Sequence, residues 1–276
     1  MVLSKLFQSK SIQLIPWKKI SFLLAGCIFL GWLLQTPAGL LGKSDAIGYA
    51  VCHRIDLRSF HLDQRQLPLC ARCTGQYLGA MFGIVYLTFL GKRRVGRPPW
   101  KVIVLLTALA IAYGIDGLNS YLHLLPNMSI FYLYEPNNTL RLLTGTGLGL
   151  GISVILLPAY HQTVWTKVNL RPSLDGFLPL TGLITTGLLI DFLVMTENPI
   201  VLYPLALISA AGVLVLLTLV YTMVWVMLAR KENQFNKFYQ LLPFISAGFT
   251  TALLQIAALD YLRYLFTGTW DGFHLG

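Results

Sequence analysis

Leu205-Ala-Leu-Ile-Ser-Ala-Ala-Gly-Val-Leu-Val-Leu-Leu-Thr-Leu-Val220 carries no charged residue. A strand of a membrane barrel would alternate apolar and polar positions, because its two faces meet lipid and lumen in turn. This run does not alternate, and neither does Val102–Ile111. Both read as helices immersed in hydrocarbon. A crossing needs about 20 predominantly apolar residues, and further such stretches flank these two. They lie near 20–41, 74–91, 101–123, 139–159, 174–195, 200–228 and 240–266. The expected fold is therefore an all-α polytopic membrane protein, a bundle of about seven transmembrane helices.

Composition agrees. Across 276 residues, 55% are hydrophobic and only 12% charged, too little polar surface for a soluble domain. The formal net charge of +10 raises the question of a nucleic-acid partner. Its distribution answers against one, since the charge is apportioned by loop. Lys5, Lys10, Lys18 and Lys19 precede the first span. Lys92, Arg93, Arg94, Arg97 and Lys101 follow the second, Lys167 and Arg171 the fourth, and Arg230, Lys231 and Lys237 the sixth. The loops between, at 126–138 and 196–199, contain no Lys or Arg. Positive-inside bias then orients the N-terminus toward the cytoplasm and the C-terminus outside. The expected location is multi-pass in the inner (plasma) membrane, with the lipid bilayer as partner. The 42–73 loop departs from the pattern, carrying Lys43, Arg54, Arg58, Arg65 and Arg72 on the external side, as though retained for local work.

The first span reads as a retained helix. Its apolar run exceeds the roughly 7–15 residues of a signal-peptide core, and no small-x-small cleavage site follows it. With no internal repeat, low-complexity tract or soluble insert, the chain reads as a single membrane domain. Its parts are a basic cytoplasmic tail at 1–19, an extracytoplasmic Cys/His loop at 42–73, helices at 74–159 bearing the motifs, and C-terminal helices at 174–266. Gly75, Gly79 and Gly83 in the second span, and Gly145, Gly147, Gly149 and Gly151 in the fourth, have the spacing of close helix packing.

Chemistry concentrates between Val51 and Gly75. Three of the four cysteines, Cys52, Cys70 and Cys73, occur there with His53 and His61. Pro68 and Cys70-x-x-Cys73 begin the second helix, where the partial positive charge of a helix N-terminus and Arg72 both favour thiolate. Cys52, His53, Cys70 and Cys73, with His61 as a substitute imidazole, form a set suited to tetrahedral zinc. The same thiols suit redox chemistry on an oxidising face, with Cys70 attacking and Cys73 resolving. An odd number of thiols is a poor static scaffold. Cys27, mid-span, reads as an ordinary apolar residue.

Ionisable residues inside spans are expensive and mark functional or water-lined sites. Asp116, Arg141, Asp191, Asp260 and Arg263 all fall toward the outer ends of their spans, level with the cysteines. This predicts an Asp/Arg-lined polar cavity beside the Cys/His site. If the site is catalytic, Asp116 is the candidate general base, and Arg58, Arg72 and Arg141 would clamp a lipid phosphate, a carboxylate or another small anion. A third reading is a transporter using the Asp/Arg layer for a small ion, though no repeat or broken-helix pair supports it.

The motif block resembles an integral membrane family, domain of unknown function 2085. The likeness rests on Cys52-His53, on Arg58-Ser59-Phe60, and on Leu67-Pro68-Leu69-Cys70-Ala71-Arg72-Cys73-Thr74-Gly75 with Tyr77 and Gly79. Asp116-Gly117 and Leu140-Arg141-Leu142-Leu143-Thr144-Gly145 match more loosely. It spans roughly residues 50–151, and Arg54 departs from the glutamine expected there. The resemblance implies a prokaryotic membrane protein and assigns no activity.

Overall fold

The computed structural model describes residues 17–123 and 133–270. Lys5 and Lys10 of the basic tail, and much of the loop without Lys or Arg after the third span, lie outside these. Among the described residues the chain forms eight α-helices: α1 (Trp17–Gln35), α2 (Gly39–Val51), α3 (Ala71–Leu90), α4 (Trp100–Leu122), α5 (Asn138–Val164), α6 (Phe177–Met195), α7 (Pro199–Leu228) and α8 (Phe238–Thr267). All but α2 are long and apolar enough to cross a bilayer, so the chain is a multi-pass membrane protein of seven candidate spans. Large apolar side chains such as Leu23, Leu30, Leu34, Phe89, Ile155, Leu178 and Phe192 are exposed along these helices, as surfaces solvated by lipid should be.

α2 corrects the expectation that residues 42–73 are a loop and that the first span continues to about residue 41. Pro37 lies just past the end of α1, and Gly39 takes φ +79, a conformation that suits glycine and turns the chain. Helix resumes at once and runs to Val51. Lys43 then reaches back from α2. Its ammonium donates to the carbonyls of Leu33 and Thr36 and to the Thr36 hydroxyl, the last two at 2.8 and 2.9 Å, capping the end of α1. Arg54 and Arg65 both bond Asp45 of α2, at 3.0 and 2.5 Å. Three of the basic residues that seemed misplaced on this side thus hold α1, α2 and the hairpin β1 (His61–Leu62)–β2 (Arg65–Gln66) together.

The tightest helix pair is α3 with α5. A Cβ on Gly75 would overlap the Leu142 carbonyl, one on Gly79 the Thr146 carbonyl, one on Gly145 the Arg72 carbonyl, and one on Gly149 the Gln76 carbonyl. Small residues on both partners let the backbones touch, and dispersion over that contact replaces the hydrophobic drive that lipid removes. Leu67, Ala71, Leu78 and Leu142 pack beside this seam with Ile190 and Val194 of α6 and Leu202 and Ala206 of α7.

At the end of the bundle away from the cysteines, β3 (Arg94–Gly96) pairs in parallel with β4 (Asn169–Pro172). Trp165 bridges to Phe235, and the Arg93 guanidinium sits 3.9 Å from the centre of the Trp165 ring. The three basic loops therefore meet at one end of the bundle. The opposite end holds the C-termini of α2, α4 and α8 and the N-termini of α3 and α5. That arrangement carries Cys52, Cys70, Asp116 and Arg141 to a common level.

Candidate functional site

Val51 ends α2, and Cys52 follows in an extended conformation with φ −129 and ψ 146. Successive side chains of an extended chain point to opposite sides. Cys52 accordingly turns inward and is buried, while His53 is exposed. Eighteen residues on, Cys70 caps the N-terminus of α3, and its backbone N–H donates to Cys52 Sγ at 3.2 Å. Cys73 lies on the first turn of the same helix. The sulfurs of Cys52, Cys70 and Cys73 all lie within 4.8 Å of one another. None is in a disulfide. Buried Leu69 and Ala71 fix the turn into α3, and Trp32, Val213, Leu253 and Ile256 with half-buried Tyr77 wall the sulfurs in.

Shared hydrogen bonds polarise the trio. Sulfur contacts with Cys52 and then Cys73, joined by the Arg72 charge, hold the Cys70 thiol well below the usual thiol range. Cys52, bonded to Cys70 and then buried, is pushed up to about 12. One thiolate is favoured, and it sits at the helix N-terminus.

Neither imidazole joins the sulfurs. His53, expected as a ligand with Cys52, is outside the cluster, because adjacent residues of an extended segment cannot face the same point. His61 instead bonds Asp56 at 2.9 Å on the hairpin surface. Cys27 is exposed on α1, apart from the other three.

Arg72, between the two cysteines of the helix, projects toward α4. Its Nε donates to Asp116 Oδ2 at 3.1 Å, and its Nη2 to the same carboxylate, to the Asp116 carbonyl at 3.0 Å and to Ser120 Oγ at 3.0 Å. Asp116 is 1% exposed and also accepts from the Tyr134 hydroxyl at 2.8 Å. Arg58 donates to the Ser120 carbonyl at 2.8 Å. Arg141, also buried, donates through Nη1 to Asn138 Oδ1 at 2.8 Å, and Asn138 in turn bonds the carbonyls of Leu57 and Ser59. Arg58, Arg72 and Arg141 lie close enough to repel one another, and Asp116 attracts Arg58 and Arg141 as well. Burial, then the charge of Arg72, lowers the Arg58 pKa.

The other in-span charges settle elsewhere. Asp191 accepts from Thr146 at 2.5 Å, alongside the α3–α5 seam. Arg263 donates to the carbonyls of Tyr49 and Cys52, each at 2.6 Å, and of His53 at 3.2 Å, so it caps α2. Its charge also attracts Asp260, one turn earlier on α8. The single polar layer expected from depth alone is thus divided. Thiols, Asp116 and three arginines are contiguous around α3, whereas Asp191 and Asp260 stand apart. The reading of individual residues missed Tyr134, whose isolated position carries no motif, and the α8–α2 link through Arg263, which only packing creates.

Comparison with known proteins identifies a family. The family described as "Predicted membrane protein" (DUF2085) matches residues 52–155. An uncharacterised protein of Methanothermobacter thermautotrophicus is 30% identical over 111 residues, 88% of its own length and 40% of this chain. The chain belongs to this family. An uncharacterised protein of Methanocaldococcus jannaschii is 27% identical over 124 residues, 71% of its length and 44% of this chain. No solved structure matches. The DUF2085 segment begins at Cys52 and takes in Cys70, Cys73, Arg58, Arg72, Asp116 and Arg141. All of α1, α2, α6, α7 and α8 lie outside it, so Arg263 grips the site from beyond the shared segment.

Proposed function

We propose that this DUF2085 protein binds zinc through Cys52, Cys70 and Cys73 at the non-cytoplasmic end of its bundle. The observation that carries this reading is the convergence of three sulfurs from two separated segments within 4.8 Å of one another. Tetrahedral zinc with Zn–S bonds near 2.3 Å sets its sulfurs about 3.8 Å apart, a spacing three thiolates here reach with small side-chain adjustments. A disulfide would use two sulfurs and strand the third. Three thiolates supply three of four tetrahedral positions, and among the described residues no His, Asp or Glu joins them. The fourth ligand is then a water or an exchangeable group, the coordination pattern of sites that activate a ligand rather than only brace a fold.

Asp116 in this reading is a positioning residue. Its carboxylate is engaged by Arg72 and Tyr134, so it orients Arg72 beside the thiols instead of serving as a free base. The protein sits in the plasma membrane with its N-terminus inside. The gathering of the basic loops around β3 and β4, opposite the cysteines, supports that orientation.

Metal analysis of the purified protein tests the reading. One zinc per chain is expected, with loss in Cys70→Ser and Cys73→Ser; equal metal content in wild type and variants would overturn it. A second reading, a membrane thiol oxidoreductase with Cys70 attacking and Cys73 resolving, draws support from the lowered Cys70 thiol at a helix N-terminus. Alkylation separates the two. Zinc-bound thiols become reactive on chelation alone, whereas a disulfide requires a reductant.

A further inference from the structure

Three guanidinium groups and one carboxylate make an unbalanced cluster. Arg58, Arg72 and Arg141 repel one another, yet among the described residues Asp116 is the only acidic side chain engaged with them, and Arg72 already pairs with it. The cluster keeps two uncompensated positive charges. A thiolate on Cys70, or a zinc held by three thiolates, removes one of these and leaves the other. Gathering like charges out of water is costly, and a purely structural lock needs only the Arg72–Asp116 pair.

Arg141 adds an independent sign of a ligand. It is 6% exposed; its Nη1 is bonded to Asn138, but its buried Nε has no hydrogen-bond partner among the described residues. A buried N–H of a charged group left unbonded costs more than a neutral one, so the geometry calls for an acceptor. Arg58 and Arg72 are half-buried and Arg141 is buried, so the first two keep partial access to solvent beside the third. Arginine presents its donors as a planar fork that matches tetrahedral oxyanions two bonds at a time.

We propose that Arg58, Arg72 and Arg141 form a binding site for a phosphate group, free or as a lipid headgroup, adjoining the cysteine cluster. One negative charge of the phosphate balances the arginine charge left beyond the metal centre, and its oxygens serve as acceptors for Arg141 Nε and for Arg58. Its existence does not depend on a metal at the thiols.

The test uses the full chain in phosphatidylcholine nanodiscs. Inorganic phosphate is titrated by calorimetry, and a second preparation contains a minority of phosphatidic acid, with retained lipid read by native mass spectrometry. Binding of free phosphate, or of phosphatidic acid alone, supports the site and identifies the source of the phosphate. Arg58→Gln and Arg141→Gln should each weaken the bound species about tenfold or more, since each removes charge-assisted bonds. Arg54→Gln, which breaks only the Asp45 contact, should leave binding unchanged. Because Arg141→Gln is a buried change that can unfold the protein, half-exposed Arg58→Gln carries the test in that event. Binding of neither probe, or equal binding by wild type and Arg58→Gln, overturns the proposal. The Cys70→Ser/Cys73→Ser variant separates it from the metal reading: phosphate binding should persist there whether or not wild type holds zinc.

Discussion

Arg263 Nη1 lies 2.6 Å from the carbonyl oxygen of Cys52, so the last helix of the bundle grips the first cysteine of the cluster through its backbone. The same guanidinium stacks over the Tyr49 ring at 4.1 Å, fixing the final turn of α2 from which the Cys52 strand departs. Residues that orient a metal ligand without touching the metal commonly contribute 10–100-fold to affinity, roughly, when removed. Arg263→Gln should therefore weaken zinc binding by about that factor while leaving all three thiols in place. Chelator competition measures it. Unchanged affinity would mean that α8 plays no part in placing Cys52.

The Arg72–Asp116 pair predicts an asymmetric response. Removing one partner of a buried pair strands the other and costs about 3–5 kcal/mol, whereas replacing both with apolar groups of similar size is far milder. Asp116→Ala should thus destabilise the protein strongly, and Arg72→Met/Asp116→Leu should recover most of the loss. Thermal unfolding in detergent compares them. A double variant as unstable as Asp116→Ala contradicts the pairing.

Close approach of α3 and α5 makes glycine specific in one place and dispensable in another. A Cβ at Gly145 would collide with the Arg72 carbonyl, while one at Gly26 meets nothing within 4 Å. Gly145→Ala should cost about 1–3 kcal/mol through overpacking. Gly26→Ala should be neutral or stabilising, by up to about 1 kcal/mol, through helix propensity. Equal unfolding temperatures for the two variants would show that the seam is loose.

In metal-free protein the thiols should titrate apart. The Cys70 pKa is lowered, so folding favours its thiolate; that contribution is present above the unfolded value of about 8.5 and fades as pH falls through the folded value. Cys52 behaves oppositely: its pKa is raised, so its contribution is present below about 8.5 and fades as pH rises toward about 12. Alkylation mapped by mass spectrometry across pH should label Cys70 below the ordinary thiol range and spare Cys52. Identical profiles would exclude a shared thiolate.

Much of this was legible from sequence because hydrocarbon is an exacting solvent. It demands long apolar helices, so the seven spans, the depth of Asp116 and Arg141, and the glycine spacing of α3 and α5 all leave one-dimensional marks. The block from Cys52 to Gly75 was equally visible, since thiols at a helix start announce their chemistry locally. Less legible was α2, because thirteen residues of mixed polarity resemble a loop until Lys43 and Asp45 find their partners. His53 was a candidate ligand by residue type despite its adjacency to Cys52, and the extended backbone sends these neighbouring side chains apart.

By itself, then, the amino-acid order determined a seven-span helical membrane protein with thiols and arginines at one level, because hydropathy and charge act residue by residue. Only the tertiary structure decided which of those groups meet. Three sulfurs from segments eighteen residues apart converge, Arg72 finds Asp116, Arg141 keeps a buried unbonded N–H, and Asp191 and Asp260 turn elsewhere. Depth places a side chain along one axis; helix rotation and the glycine-set approach of α3 to α5 supply the other two.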